Sequence, residues 1–222
     1  MEAGVLSKPH RLKYDVFLSF RGGDTCETFA GNLYDALRKE VRVFRDNEGM
    51  ERGTEVAPSL AAAMEDSAAS VVVLSPSYAD SHRCLNELAM LCDLKSSLDR
   101  PILPIFYKVD PSHVRKQNSP KFAADFEEHA KRFSEKEIQR WRGAMKLVGN
   151  LAGYVFNEGS VENDMIKLVL KKVLAQVRNT PEKVGEYTVG LKSRVKDLLK
   201  LVDLKASSGV QILGLYGMGG IG

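Results

Sequence analysis

Apolar residues gather in short runs along this chain, and most runs are followed by a segment whose apolar positions recur every three or four residues. Tyr14–Phe20 (YDVFLSF) is a compact run that ends at Arg21-Gly22-Gly23, a turn signal. Asp24-Thr25 can cap a helix, and Phe29, Leu33, Ala36 and Leu37 then recur at helical spacing. Val41–Phe44 predicts a second short strand, and Arg45–Val56, with Gly49 and Gly53, a polar loop. Pro58 suits the first position of a helix that continues through Leu60, Ala61 and Met64. Val71–Leu74 predicts a third strand and Cys84–Leu98 a third helix, followed by a fourth strand at Ile102–Phe106. Tyr107–Pro120 reads as a long polar loop, Phe122–Phe133 and Glu137–Val148 as helices, and Tyr154–Phe156 as a fifth short strand.

Short β-branched runs alternating with helices predict an α/β fold, a mainly parallel sheet with helices on both faces. About five strands suit the flavodoxin-like order 2-1-3-4-5. In that order ligands bind outside the carboxyl ends of strands 1 and 3, where the connections diverge. The segments that meet there are Phe20–Thr25 and Ser75–Glu87, and the Arg45–Val56 loop can fold over them. Glu87 is thereby expected at the one crevice the topology provides.

Past this unit, Glu162–Arg178 is amphipathic, with Ile166, Val169, Leu170, Val173 and Val177 on one stripe. The expected organisation is a loose arm at 1–12, a domain at 13–178, a linker at 179–208, and the start of another domain at 209–222. In that last segment a strand pattern, Val210–Tyr216, runs into GMGGIG. Gly217 and Gly222 have the spacing of a phosphate-cradling loop, whose lysine and hydroxyl would come next. A fragment ending inside a nucleotide-binding domain is the reading preferred over a glycine-rich tail.

Composition changes this picture little. The 222 residues carry a net charge of +3, too small to argue for nucleic acid. Cys26, Cys84 and Cys92 show no CxxC spacing, so neither a disulfide framework nor a metal site is signalled. No leader and no apolar run of about 18 residues is seen, which points to the cytoplasm or nucleus and away from membranes.

Two stretches carry candidate chemistry. Backbone amides of the Phe20–Thr25 turn can cradle an anion at a helix start, with Arg21 adding a forked contact; an ordinary strand-to-helix turn is equally consistent. Glu87 in an enclosed crevice could stabilise an oxocarbenium-like cation or orient a sugar hydroxyl. Its plainer reading is an i,i+4 ion pair with Arg83. Cys84 is expected to line core or cleft, and His82, His113 and His129 to lie on the surface.

The run YDVFLSFRGGDT closely resembles the opening of a plant TIR (Toll/interleukin-1 receptor homology) domain. So do VFRDNEGMERGTEV, SPSYADSHRCLNEL, ILPIFYKVDPSHVRKQ and FEEHA with IQRWRGAM, covering about Lys13–Phe156. The tail GVQILGLYGMGGIG resembles the start of an NB-ARC module, and the pair is similar to plant TIR-NB-ARC-LRR immune receptors.

The resemblance implies an NAD⁺-cleaving enzyme that self-associates, with NAD⁺ as substrate and no cofactor. Glu87 falls on the family's essential glutamate. Phe20, Arg21, Gly22, Gly23, Asp24 and Thr25 fall on the turn that lines the NAD⁺ site, and Arg45 and Arg52 on the loop after strand 2. Ser75, Arg83 and Cys84 complete the implied substrate-binding set. Products would be nicotinamide with ADP-ribose or related forms, acting on lipase-like immune proteins. Three departures from the pattern stand out. Arg83 replaces a tryptophan, Cys26 the arginine of DTR, and Gly31-Asn32 a Ser-His pair of one self-association surface. Arg83 favours a second reading, a non-catalytic module that pairs with other TIR domains. A third, nucleotide-cyclase-like action on nucleic acid, draws on Lys167, Lys171 and Lys172 and requires salt-dependent duplex binding.

Overall fold

The computed structural model describes residues 12–23, 28–45, 58–157 and 159–178. All of them belong to one unit, His10–Thr180. The expected arm, the Asp24-Thr25 cap, the linker and the start of a second domain lie outside the described residues, as does nearly all of the loop after strand 2.

Five parallel strands stand in the order β2-β1-β3-β4-β5, as the alternation of runs and helices predicts. They are β1 (Tyr14–Phe20), β2 (Val43–Arg45), β3 (Ser67–Leu74), β4 (Ile102–Tyr107) and β5 (Tyr154–Phe156). All eight residues of β3 are buried, because helices cover both faces of the sheet. Its register sets Leu18 against Val71 and Phe20 against Val73 on one side, and Val71 against Leu103 on the other.

The helices are α1 (Phe29–Leu37), α2 (Pro58–Glu65), α3 (His82–Leu98), α4 (Pro111–Lys116), α5 (Pro120–Ala130), α6 (Glu135–Val148) and α7 (Glu162–Arg178). On one face, Val16, Leu18, Val71 and Val73 pack with Phe29, Leu33 and Leu37 of α1 and Ile166, Val169 and Val173 of α7. On the other, Phe17, Val72 and Leu74 pack with α2 to α6, where Trp141 and Phe126 are fully buried. Alternate strand residues thus feed two separate layers.

Several expected boundaries move. Helix α1 begins at Phe29, with Thr28 at the N-cap. Strand β2 starts two residues late: Val41 still closes α1 by donating to the Leu37 carbonyl, and Arg42 is drawn to Asp15. Strand β3 starts four residues early, in Ser67-Ala68-Ala69-Ser70, small residues with little strand signature. Ser81 caps α3 by accepting from the Cys84 amide at 3.3 Å, so that helix opens at His82.

The segment expected as a loop at 107–120 contains α4, begun by an Asp110 cap and Pro111 in the first turn. Helix α5 opens two residues earlier than expected, at Pro120, and ends at Ala130; α6 opens at Glu135. Ser119 caps α5, and a Ser134–Glu137 capping box starts α6. Gly153 is required where it stands, because a Cβ there would collide with the Pro104 carbonyl as the chain enters β5.

Candidate functional site

β1 and β3 stay paired to Phe20 and Val73, the connections leaving their carboxyl ends diverge as the topology requires, and α3 starts beside them. Glu87 projects from α3 and is 4% exposed. Ser19, the penultimate residue of β1, donates its hydroxyl to Glu87 Oε2 at 3.0 Å. Ser19 Oγ also lies 3.2 Å from the Tyr78 hydroxyl, which donates to the Cys84 carbonyl at 3.1 Å. Arg83 Nε stands 3.5 Å from Glu87 Oε1. The ion pair expected one turn apart on a helix is present, yet it is not a solvated surface pair, for the carboxylate is buried.

Tyr78 belongs to a single 3-10 turn, Tyr78–Asp80, that joins β3 to α3. Three contacts hold this turn. The Tyr78 amide donates to the Ser75 carbonyl at 3.1 Å. Arg21 Nε donates to Asp80 Oδ1 at 2.7 Å, with Lys121 Nζ 3.9 Å from the other oxygen and 2.6 Å from Asp125. His129 Nε2 lies 2.8 Å from the Ala79 carbonyl; a carbonyl only accepts, so this nitrogen carries the hydrogen. His129 is therefore buried, among Phe126, Phe133 and Trp141, and not on the surface as expected. His113 is exposed and His82 half-buried.

Burial dominates the acid–base character of the pocket. It pushes the Cys84 thiol up to about 12, with the Glu87 charge adding to the effect. A thiol so placed stays protonated near neutrality and is no nucleophile, in keeping with its expected lining role. Its Sγ sits 3.8 Å from the Phe20 carbonyl. Burial likewise raises the Tyr78 phenol well above its ordinary value, so it serves as a neutral hydroxyl. The Ser75 hydroxyl is fully buried without a hydrogen-bond partner, a costly state that in general runs to about 1–3 kcal/mol.

The structure gathers Phe20, Arg21, Ser75, Arg83, Cys84 and Glu87 at this crevice. Gly22 and Gly23 form the turn above it, and Gly23 needs its glycine for a φ of +100°. Arg45, at the end of β2, lays its guanidinium over the rings of Phe20 and Tyr34, 5.4 and 5.1 Å from their centres. Asp24, Thr25 and Arg52 lie outside the described residues. Gly31 and Asn32 stand apart on α1, where Asn32 Nδ2 donates to Glu162 Oε1 of α7 at 2.6 Å. Reading the sequence alone missed Ser19, Tyr78, Asp80 and His129. Ser19 is one polar residue within an apolar strand, and His129 follows Phe122 and Phe126 on one helical stripe; both were usable signals.

No helix among the described residues is long and apolar enough to cross a membrane. The TIR domain family model matches residues 13–192. Disease resistance protein RPV1 of Vitis rotundifolia is 41% identical over 217 residues, 97% of this chain and 15% of that protein. TMV resistance protein N of Nicotiana glutinosa is 37% identical over 97% of the chain and 19% of its own length. The chain thus spans less than a fifth of either relative. Among solved structures, the TIR domains of the activated Roq1 resistosome, which directly recognizes the pathogen effector XopQ, align with a TM-score of 0.66 at 37% identity. That alignment covers 72% of this chain and 98% of the other. With five parallel strands in the order 2-1-3-4-5 and this likeness to plant disease-resistance proteins, the chain belongs to the TIR domain family.

Proposed function

We propose that this domain cleaves the bond between nicotinamide and ribose in NAD⁺, and that it does so as the signalling unit of a plant disease-resistance receptor. The observation that carries the reading is Glu87, a carboxylate held almost out of water at the switch point by Ser19 and Arg83. Cleavage of an N-glycosidic bond to a pyridinium leaves positive charge on the ribose, and a fixed carboxylate stabilises that charge as it develops. Arg21, held by Asp80, and the amides of Gly22 and Gly23 would be the groups offered to a diphosphate. Arg83 offers a planar guanidinium where the resembled family pattern has a tryptophan, and can stack through that plane.

Assembly with other TIR domains would bring the site to its active form; the similar TIR domains of Roq1 belong to an activated resistosome. Residues 179–208 then read as a linker, and 209–222 as the entry to a nucleotide-binding module. The Asn32–Glu162 bond engages one position of the α1 surface within the domain. The Gly31→Ser/Asn32→His variant is expected to form larger oligomers by light scattering, and equal sizes would remove that link.

A second reading has its own observation. Arg83 lies on Glu87 and could leave the carboxylate blocked, making the domain a pairing module without catalysis. The deciding experiment follows NAD⁺ in concentrated protein beside Glu87→Ala and Arg83→Trp. Loss abolished by Glu87→Ala supports the enzyme. A silent natural protein with activity gained in Arg83→Trp supports the module.

A further inference from the structure

We propose that Ser19 and Tyr78 form a reversible hydroxyl pair behind Glu87, satisfying it both as a carboxylate and as a carboxylic acid, so that it can accept a proton during turnover. The proposal rests on the NAD⁺-cleaving reading and concerns how the carboxylate works within it. Its basis is the inventory of hydrogens. Tyr78 gives its single hydrogen to the Cys84 carbonyl, so its oxygen is left as an acceptor. Ser19 has one hydrogen and two partners, Glu87 Oε2 at 3.0 Å and the Tyr78 oxygen at 3.2 Å.

While Glu87 is ionised, Ser19 donates to it. When Glu87 takes a proton, the acid donates to Ser19 Oγ, and the serine hydrogen rotates onto Tyr78. Neither state strands the Ser19 or Tyr78 hydroxyl, and the two states differ by the acid proton on Oε2 and the rotation of one hydroxyl hydrogen. Tyr78 can play this part because burial keeps it a phenol.

The chemistry balances on this arrangement. As the glycosidic bond breaks, its electron pair leaves with nicotinamide, which departs neutral. Water adds to the ribose carbon and loses one proton, which Glu87 accepts and later returns to solvent. A carboxylate serving only as a fixed negative charge would have no use for a second hydrogen-bonding state. Ser19 and Tyr78 are positioning residues, since both act through Glu87.

The test uses the whole 222-residue chain labelled with ¹³C at the glutamate carboxyls, with Glu87→Gln identifying the resonance. Among the described residues, the charged or titratable groups placed with Glu87 include Arg83 and Cys84 on α3, Arg21 beside β1, and Tyr78 and Asp80 in the turn. They stay constant except in the Tyr78 variant. Ser19→Ala removes both the donor to the carboxylate and the acceptor for the acid; because the bond to the charged form is the stronger, the Glu87 midpoint should rise, by about one pH unit. Tyr78→Phe removes the acceptor that the acid form needs, together with the donor to the Cys84 carbonyl, and should lower it. Ser19→Thr should restore it.

In turnover, Ser19→Ala is expected to lower kcat roughly ten- to a hundredfold with KM little changed, and Ser19→Thr to recover it. Shifts of the same sign in Ser19→Ala and Tyr78→Phe, or no shift in either, overturn the proposal. A natural protein without NAD⁺ loss defeats the functional reading alone, because the carboxyl titration decides the hydroxyl pair independently.

Discussion

Helix α3 carries two arginine–carboxylate pairs, and the shorter one is the less consequential. Near its start, Arg83 and Glu87 stand 3.5 Å apart with side chains 21% and 6% exposed. Two turns on, Asp93 meets Arg140 of α6 at 2.7 Å, with side chains 67% and 49% exposed. At the second site water screens both charges and would solvate either one alone, so such pairs give about 0–1 kcal/mol. At the first, a carboxylate removed from water depends on every donor it has. Distance is a poor guide to what an ion pair does; the medium around it decides.

The largest expected contrast is in turnover. Glu87→Ala should lower NAD⁺ consumption at least about a hundredfold, whereas Asp93→Ala should leave it unchanged. Equal effects would break the comparison outright. Next comes stability. By urea unfolding, Arg83→Ala is expected to cost about 1–3 kcal/mol and Arg140→Ala about 0–1 kcal/mol. The reverse order would mean that the buried arrangement is already strained.

The smallest effect concerns the cysteines that adjoin each pair in sequence, Cys84 and Cys92. Burial pushes both thiols up to about 12, with Glu87 and Asp93 respectively as the next contributors. The ordinary value is 9.0, so between 9.0 and about 12 the unfolded chain loses protons that the folded protein keeps. Stability from these groups is fully present below 9.0 and drains as pH rises through that window. A Cys84→Ala/Cys92→Ala protein should show a flatter fall in melting temperature from pH 9 to 11. In a Cys26→Ser background, neither remaining thiol should be alkylated quickly at pH 8. Rapid labelling of Cys84 would mean that the crevice opens.

Much of this was legible in the residues. β1 and β5 run where their apolar patterns place them, and α7 occupies Glu162–Arg178 as its stripe predicts. The misses share a cause: where burial is achieved by small or polar residues, hydropathy has nothing to report. Ser67-Ala68-Ala69-Ser70 is strand because β1 pairs with it from Tyr14 onward, with β4 joining at Ser70. Helix α4 commits a single buried residue, Val114, to the core, so only its Asp110-Pro111 start could have announced it. The location of Glu87 followed from topology alone. Its buried surroundings did not, since Ser19 reaches it across 68 positions of sequence and Tyr78 meets Ser19 across 59, and they come together only in the folded domain.

The hydrogen bond from His129 to the Ala79 carbonyl bears on how the protein is made. A growing chain that has emerged as far as α3 already contains Ser19, Tyr78 and Glu87. The clasp on their connecting turn lies 50 residues beyond Ala79, on α5, and Lys121 beside it is the second cation on Asp80. Synthesis therefore delivers the crevice before its fastener. A ribosome-arrested chain ending before α5 holds every residue of the carboxylate's hydrogen-bonded cluster, without the helix that fastens the turn around it.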